Sequence, residues 1–209
     1  MEELLSIYQK PYDPDCPVLC MDEGNIQILV AAIKKLNAEP GQLECNDPEY
    51  VRLGTENLFS IIEPKRGLYY VNLTEHRTAM DWAYEIKYVV DVLYPHAKKI
   101  ILILDNLNTH ILQSLYKAFP PEKASRIADR LEIHYTPKHG SWLNIAEIAI
   151  HVVKTECIPK RFESKEDANN LGNNLKNWQI ERNSDEKPIK WSFTNSIARE
   201  NLANLYDFK

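Results

Sequence analysis

Two aspartates each close a run of aliphatic residues: VLCMD ends on Asp22 and ILILD on Asp105. The second run continues as DNLNTH, and a carboxylate followed by small polar residues can be an ordinary surface turn, because Asn and Asp favour turns. It can equally be a carboxylate held at the end of a buried strand to bind a cation. Two carboxylates on neighbouring strand ends repel, and each pKa rises unless a cation lies between them. Mg²⁺ suits such a place, since it takes oxygen ligands and binds through one or two carboxylates plus phosphate. A third acid lies in SWLNIAEIAIHVVK, where Asn144, Glu147, His151 and Lys154 recur at i, i+3, i+7 and i+10. They oppose the apolar positions Ile145, Ile148, Ala149, Val152 and Val153. The polar stripe is either a solvated helix face or one wall of a site. The preceding HYTPKHGSWLN holds Pro, Gly, Trp and two His, more than a plain connector needs.

The elements that must position these acids follow from periodicity. Residues 1–16 read as a short helix and a Pro-rich extended piece, and PVLCMDEGNIQILV as a strand with Asp22 near its middle or end. Residues 34–56, polar and carrying Pro40, Gly41, Pro48 and Gly54, read as a long loop. NLFSIIEPKRGLYYVNLTE reads as a hairpin turning at EPKRG. Ala79, Trp82, Ala83, Ile86, Val89, Val90 and Leu93 form one apolar helical stripe, with Thr78 as its cap and Pro95 as its stop. KKIILILD is a buried strand, THILQSLYKAFPPEKASRIADR is helical with a break at Pro120-Pro121, and LEIHYTP is another strand. Helices are expected over SWLNIAEIAIHVVKTECI, over SKEDANNLGNNLKNWQIERN with Ser164 as cap, and as a short closing helix within 192–206. A β-meander followed by alternating helices and strands predicts a mixed sheet with helices on its faces. A crossover between the strands of Asp22 and Asp105 would set them parallel and adjacent.

Composition bounds the function. The 209 residues are 44% hydrophobic and 26% charged, which is globular and sufficient for one sizeable core. No apolar run is long enough to span a bilayer, and the acidic, Pro-broken N-terminus is no signal peptide, so a cytoplasmic protein without membrane partners is expected. The four cysteines, Cys16, Cys20, Cys45 and Cys157, form no CxxC pair, so structural zinc is not expected and reduced thiols are. The net charge of −5 weighs against a broadly basic nucleic-acid surface. From Tyr135 to Lys165, however, five basic residues (Lys138, Lys154, Lys160, Arg161, Lys165) face three acidic ones (Glu147, Glu156, Glu163), a local strip able to meet phosphates.

CMDEGNIQ, LGTENLF, DNLNTH and above all TPKHGSWLNIAEI resemble the catalytic domain of bacterial transposases of the IS630 type, relatives of the Tc1/mariner transposases. The resemblance runs from about Pro17 to about Arg182. It implies an α/β, RNase H-like fold, a mixed five-stranded sheet flanked by helices. It divides the chain into a lead-in at 1–16, a DDE catalytic domain at 17–191 and a helical tail at 192–209. It makes Asp22, Asp105 and Glu147 the catalytic triad and the ligands of two Mg²⁺ or Mn²⁺ ions. The 41 residues between Asp105 and Glu147 exceed the Tc1/mariner spacing, an excess that the Pro-broken segment can hold. Asn106, His110 and Asn144 match motif positions beside the acids as substrate or supporting contacts, against the plainer alternative of local capping. Lys138, His139 and Lys154 become candidates for holding DNA phosphates, and Trp142 for stacking on a displaced base or packing the helix start onto the sheet.

The implied partners are transposon-end and target DNA, a second copy of the chain in a homodimer, and a helix-turn-helix DNA-binding part, carried by a separate polypeptide if the chain is the second frame of a split transposase; a truncated remnant and a fragment are the alternatives. A nucleoid-associated location follows. The sequence departs from the family at Gly24, where a Lys is common, and at Thr155, where an Arg is expected beside Lys154. Two rival readings remain. One is a catalytically silent remnant that binds DNA or protein. The other is a stand-alone nuclease acting on RNA–DNA hybrids or junctions.

Overall fold

The structure, a computed structural model, describes residues 1–32 and 49–203. Its elements are α1 (Glu2–Gln9), β1 (Val18–Ala31), β2 (Tyr50–Glu63), β3 (Leu68–Thr74), α2 (Ala79–Tyr88), β4 (Ile100–Leu104), α3 (Gln113–Ala118), α4 (Pro121–Ala128), β5 (Leu131–Tyr135), α5 (Ile145–Glu156), α6 (Lys165–Asn169), α7 (Leu171–Ser184) and α8 (Asn195–Asn201). The five strands form one sheet in the order β3-β2-β1-β4-β5. β1, β2 and β3 are an antiparallel meander, whereas β1–β4 and β4–β5 are parallel pairs. Between β1 and β4 the chain runs through the hairpin and α2, the crossover that a parallel pair requires.

Alternation along the strands splits the core in two. Leu19 and Met21 of β1, Phe59 and Ile61 of β2, and Leu102 and Leu104 of β4 meet Trp82, Ala83 and Ile86 of α2 on one face. Cys20, Ile62, Ile101 and Ile103 meet Ile145, Ala146 and Ala149 of α5 on the other, together with Leu4 and Leu5 of α1 and Ala198 of α8. Each fully buried large aliphatic or aromatic side chain contributes about 1.5–3 kcal/mol. The lead-in and the closing helix therefore pack against the sheet, and Arg199 holds Glu2 through two hydrogen bonds of 2.7 and 2.6 Å. Farther along β1, Ile26, Ile28 and Val30 pack against Val153, Phe162, Leu171 and Leu175.

Local signals set most helix ends. Thr78 caps α2 in a reciprocal box with Asp81, and the helix continues as a π-turn over Val89–Leu93. Ser164 caps α6 through Asp167. Gly67 closes the β2–β3 turn at φ +70, its amide donating to the Glu63 carbonyl at 2.8 Å. α7 lies along the outer edge of β3. There the Asn183 side chain accepts from the Tyr69 amide and donates to its carbonyl, both at 2.8 Å, and Gln179 accepts from the Val71 amide at 2.8 Å.

Several elements differ from the sequence reading. Residues 50–56 are not loop but the first half of β2, paired with β1 between Ile26 and Ala31 through a register shift at Ile28 and Leu29. Pairing to a long neighbour overrides their polar, Gly-containing composition. The remainder of that stretch, 34–48, lies outside the described residues, as do Cys45 and residues 204–206 of the closing helix. α3 begins at Gln113 rather than Thr109, because His110 is drawn into the fold below. The helix expected from Ser141 is a 3₁₀ turn over Ser141–Leu143 and then α5, with Asn144 as the joint. The helix expected after Ser164 is divided at Asn170. No helix among the described residues is long and apolar enough to cross a membrane.

Candidate active site

β1 and β4 run parallel with Cys20 beside Ile103. The same register carried two residues onward sets Asp22 beside Asp105. Asp22 lies in the interior of β1, not at its end, and Asp105 is the first residue beyond β4. Sharing the parity of Cys20, Asp22 points to the face covered by α5. The Ser141–Leu143 turn and α5 bring Glu147 to this face. Thr136 leaves β5 with its amide bonded to the Leu104 carbonyl at 2.9 Å, immediately before Asp105. The chain then turns sharply: the Gly140 amide donates to the Pro137 carbonyl at 2.8 Å, and His139 adopts φ 64. A Cβ at Gly140 would stand 2.6 Å from Pro137 Cγ, so this turn needs glycine. The Tyr8 hydroxyl donates to the Leu143 carbonyl at 2.7 Å and secures the 3₁₀ turn from below.

Asn144 joins α5 to β1. Its side-chain oxygen accepts from the Ala146 amide at 3.2 Å, and its side-chain nitrogen donates to the Met21 carbonyl at 2.9 Å. The residue is fully buried, so it orients the backbone beside Asp22 instead of reaching a substrate. Glu147 follows in the first turn of α5, where the helix dipole favours a carboxylate, and its side chain is exposed.

Electrostatics tie the three acids together. Burial pushes the Asp22 carboxyl up to about 6, and the carboxylates of Asp105 and Glu147 push it the same way. The Glu23 amide, donating to Asp22 at 2.7 Å, and the imidazole of His110 pull against this rise. A carboxyl raised chiefly by burial, and further by two neighbouring anions, would be relieved by a hard divalent cation, and every candidate ligand atom is oxygen. Among the described residues no three His, Cys, Asp or Glu side chains already enclose an ion position.

His110 is buried, with Nδ1 2.6 Å from Asp105 Oδ1 and Nε2 2.9 Å from Glu23 Oε1. Burial alone would lower its pKa, but the hydrogen bonds to the two carboxylates outweigh this and raise it to about 9. His110 therefore touches the acid and not the surface. Glu23 was not singled out by the sequence. Its side chain is only 3% exposed, on the face opposite Asp22, and a charged residue amid an apolar strand was the signal available.

The remaining candidates lie just after β4, on the turn before α5 and along α5. Asn106 is exposed just past Asp105, and Lys138 and His139 are exposed on the turn before α5. Lys154 lies along α5 from Glu147, half-buried over Gly24. A Cβ at Gly24 would stand 3.4 Å from its Nζ and 3.0 Å from Ile150 Cγ2. Trp142 is 44% exposed and packs edge-on against Phe193 at 5.4 Å, against the C-terminal segment and not against the sheet.

Comparison with known proteins places this geometry. Residues 17–169 match the family described as DDE superfamily endonuclease. Among solved structures, the Mos1 mariner paired-end complex with Mn has a TM-score of 0.51 at 15% identity, over 90% of this chain and 61% of that one. The Mos1 strand transfer complex gives 0.51 at 16%, over 90% and 60%. A simian T-cell lymphotropic virus intasome gives 0.50 at 12%, over 81% and 50%. This chain thus spans about three-fifths of the Mos1 chains. No curated protein sequence matched. The fold is RNase H-like, a mixed five-stranded α/β sheet flanked by helices, and the chain belongs to the DDE superfamily endonucleases.

Proposed function

We propose that this chain is the catalytic domain of an IS630-type transposase, cutting DNA phosphodiesters and joining the freed end to target DNA. The observation that carries the reading is the elevated Asp22 carboxyl, which shares one sheet face with Glu147 and stands in register with Asp105. Asp22, Asp105 and Glu147 would hold two Mg²⁺ or Mn²⁺ ions. Bound there, such ions activate the attacking oxygen and stabilise the leaving oxygen of an in-line displacement. The chain's own residues set the geometry around that reaction. Asn144 fixes the β1 backbone beside Asp22, and His110 holds one oxygen of Asp105. Lys154, Lys138 and His139 hold phosphates flanking the scissile bond, and exposed Asn106 reaches the same strand. Trp142, with nearly half its surface open, stacks on an unpaired base. Water attacks phosphorus first, the P–O3′ bond breaks, and the 3′ oxygen leaves as a hydroxyl. That 3′-hydroxyl then attacks a target phosphodiester beside the same carboxylates, its oxygen bonding to phosphorus as the target P–O3′ bond breaks and a target 3′-hydroxyl leaves with the proton.

The similar solved structures of Mos1 are a paired-end complex and a strand transfer complex. By that likeness, a homodimer on two transposon ends and a helix-turn-helix DNA-binding polypeptide complete the assembly, in the bacterial nucleoid.

Nicking of supercoiled plasmid in Mg²⁺ or Mn²⁺ tests this, with Asp105→Asn as the comparison. The expected result is metal-dependent nicking by the wild type and a fall to the metal-free level in the variant. Nicking kept by the variant rejects the assignment. A wild type that binds DNA and never nicks it supports the silent remnant instead.

A further inference from the structure

Asp22 and Glu23 are neighbours on β1 and point to opposite faces of the sheet. Asp22 faces α5. Glu23 enters the opposite side, where Trp82 of α2 lies fully buried. Between Glu23 and the end of β4 stands one side chain, His110, 2.9 Å from Glu23 Oε1 and 2.6 Å from Asp105 Oδ1. Each ring nitrogen thus faces one carboxylate oxygen, and the imidazole spans the two side chains. Its position is over-determined. The indole of Trp82 stacks on it with centroids 6.0 Å apart and planes 30° apart. The Tyr135 hydroxyl donates to the His110 carbonyl at 2.6 Å, and the His110 amide donates to the Leu107 carbonyl at 3.0 Å.

We propose that Glu23 and His110 are positioning residues: Glu23 anchors the imidazole, and the imidazole commits Oδ1 of Asp105, so that Oδ2 is the oxygen presented to the cleft. The proposal rests on Asp105 being a ligand of the divalent ions. It adds that Asp105 binds through a single oxygen, and that the acid after Asp22 serves the site without touching metal or DNA. The β1–β4 ladder joins the two strands at Cys20 and Ile103, and the Glu23–His110–Asp105 bridge joins them again beyond it. Asp105, outside β4, has no ladder bond of its own to fix its orientation, and the bridge supplies that constraint. Hydrogen-bond partners of metal ligands typically contribute about 10–100-fold in metal affinity.

The test measures Mn²⁺ binding to the full chain directly, by calorimetry or by the loss of the free-ion electron paramagnetic resonance signal, beside the nicking assay. Glu23→Leu and His110→Leu should each weaken Mn²⁺ binding by about 10-fold or more. Glu23→Gln keeps an acceptor for Nε2 and should stay within about threefold of wild type. The double leucine variant should be no weaker than the worse single one, because both act through one bond to Asp105. A role confined to packing would leave Mn²⁺ affinity unchanged in any variant whose circular dichroism and melting remain wild-type. Wild-type affinity in a folded Glu23→Leu or His110→Leu overturns the proposal while leaving the triad standing. Affinities that fall equally in Glu23→Leu and Glu23→Gln also overturn it, since charge and not orientation would then be at work. A wild type that binds no Mn²⁺ and nicks no DNA removes the triad assignment itself, and the bridge with it.

Discussion

The side-chain nitrogen of Asn144 donates to the carbonyl of Met21 across 2.9 Å, so the cap of α5 is bonded to the residue before Asp22. One buried amide thereby sets where Glu147 begins its helix and where Asp22 leaves its strand. Replacing it acts on both.

Asn144→Ala removes a helix cap and leaves the Met21 carbonyl without that donor. The expected loss is about 2–3 kcal/mol, read as a lower urea midpoint at unchanged slope. Asn144→Asp keeps the cap oxygen, loses the donor and adds an anion beside Asp22. It should nick more slowly than its stability alone implies.

Asp22 makes stability depend on pH in a direction opposite to that of a paired carboxylate. Its folded pKa is raised to about 6 from an ordinary 3.8, so the fold binds the proton more tightly than the unfolded chain does. The penalty is full above pH 6 and vanishes below 3.8. In the absence of divalent ions, Asp22→Asn should be the more stable protein at pH 7.5, by about 1–2 kcal/mol after allowance for partial solvent screening. That advantage should shrink as pH falls through 6 toward 4. Mn²⁺ should reverse the order, raising the melting temperature of the wild type and not that of the variant. A variant advantage that grows on acidification would contradict the assigned environment of Asp22.

Gly67 permits an approach that no other residue tolerates. At φ +70 its Cβ would lie 1.8 Å from the Lys187 carbonyl oxygen. Gly67→Ala should cost about 3 kcal/mol or more and push the segment after α7 off the β2–β3 turn. Limited proteolysis near Lys187 and Lys190 should accelerate in the variant and not in the wild type.

Lys154 should act through phosphate alone. Lys154→Ala should weaken binding to unrelated DNA sequences alike and reduce the magnitude of the salt slope by about one. Gly24→Ala should mimic part of this loss, because the new methyl group meets Ile150 Cγ2 at 3.0 Å and crowds Nζ at 3.4 Å. Sequence-dependent losses would assign Lys154 to base contact instead.

The three acids were nameable as candidates because Asp22 and Asp105 each follow an aliphatic run and Glu147 sits on a polar stripe opposite an apolar one. The element order and the parallel pairing of β1 with β4 were legible because the hairpin, α2 and β4 carry clean local signals. Glu23 was not, since a charged residue at an alternate strand position is ordinarily solvated. Only the packed fold shows His110 against it, with Trp82 stacked on the imidazole. The first half of β2 was missed for a related reason. Its partner is β1, and non-local pairing leaves no mark on Gly54, Glu56 or the exposed Tyr50 and Val51 themselves. The joint at Asn144 was hidden because Asn fits a polar helical stripe as readily as it fits a cap. The other candidates, Lys138, His139, Asn106 and Trp142, were nameable from the sequence, but their exposure is a property of the fold around β4 and the turn before α5.

The amides of Asn183 and Gln179 occupy the outermost ladder positions of β3 that a sixth strand would need. A nascent or partly unfolded copy meeting that border finds its docking groups already engaged. Two uncharged side chains on α7 thus act as a selvage, finishing the woven edge so that the fabric neither frays nor grafts onto its neighbour.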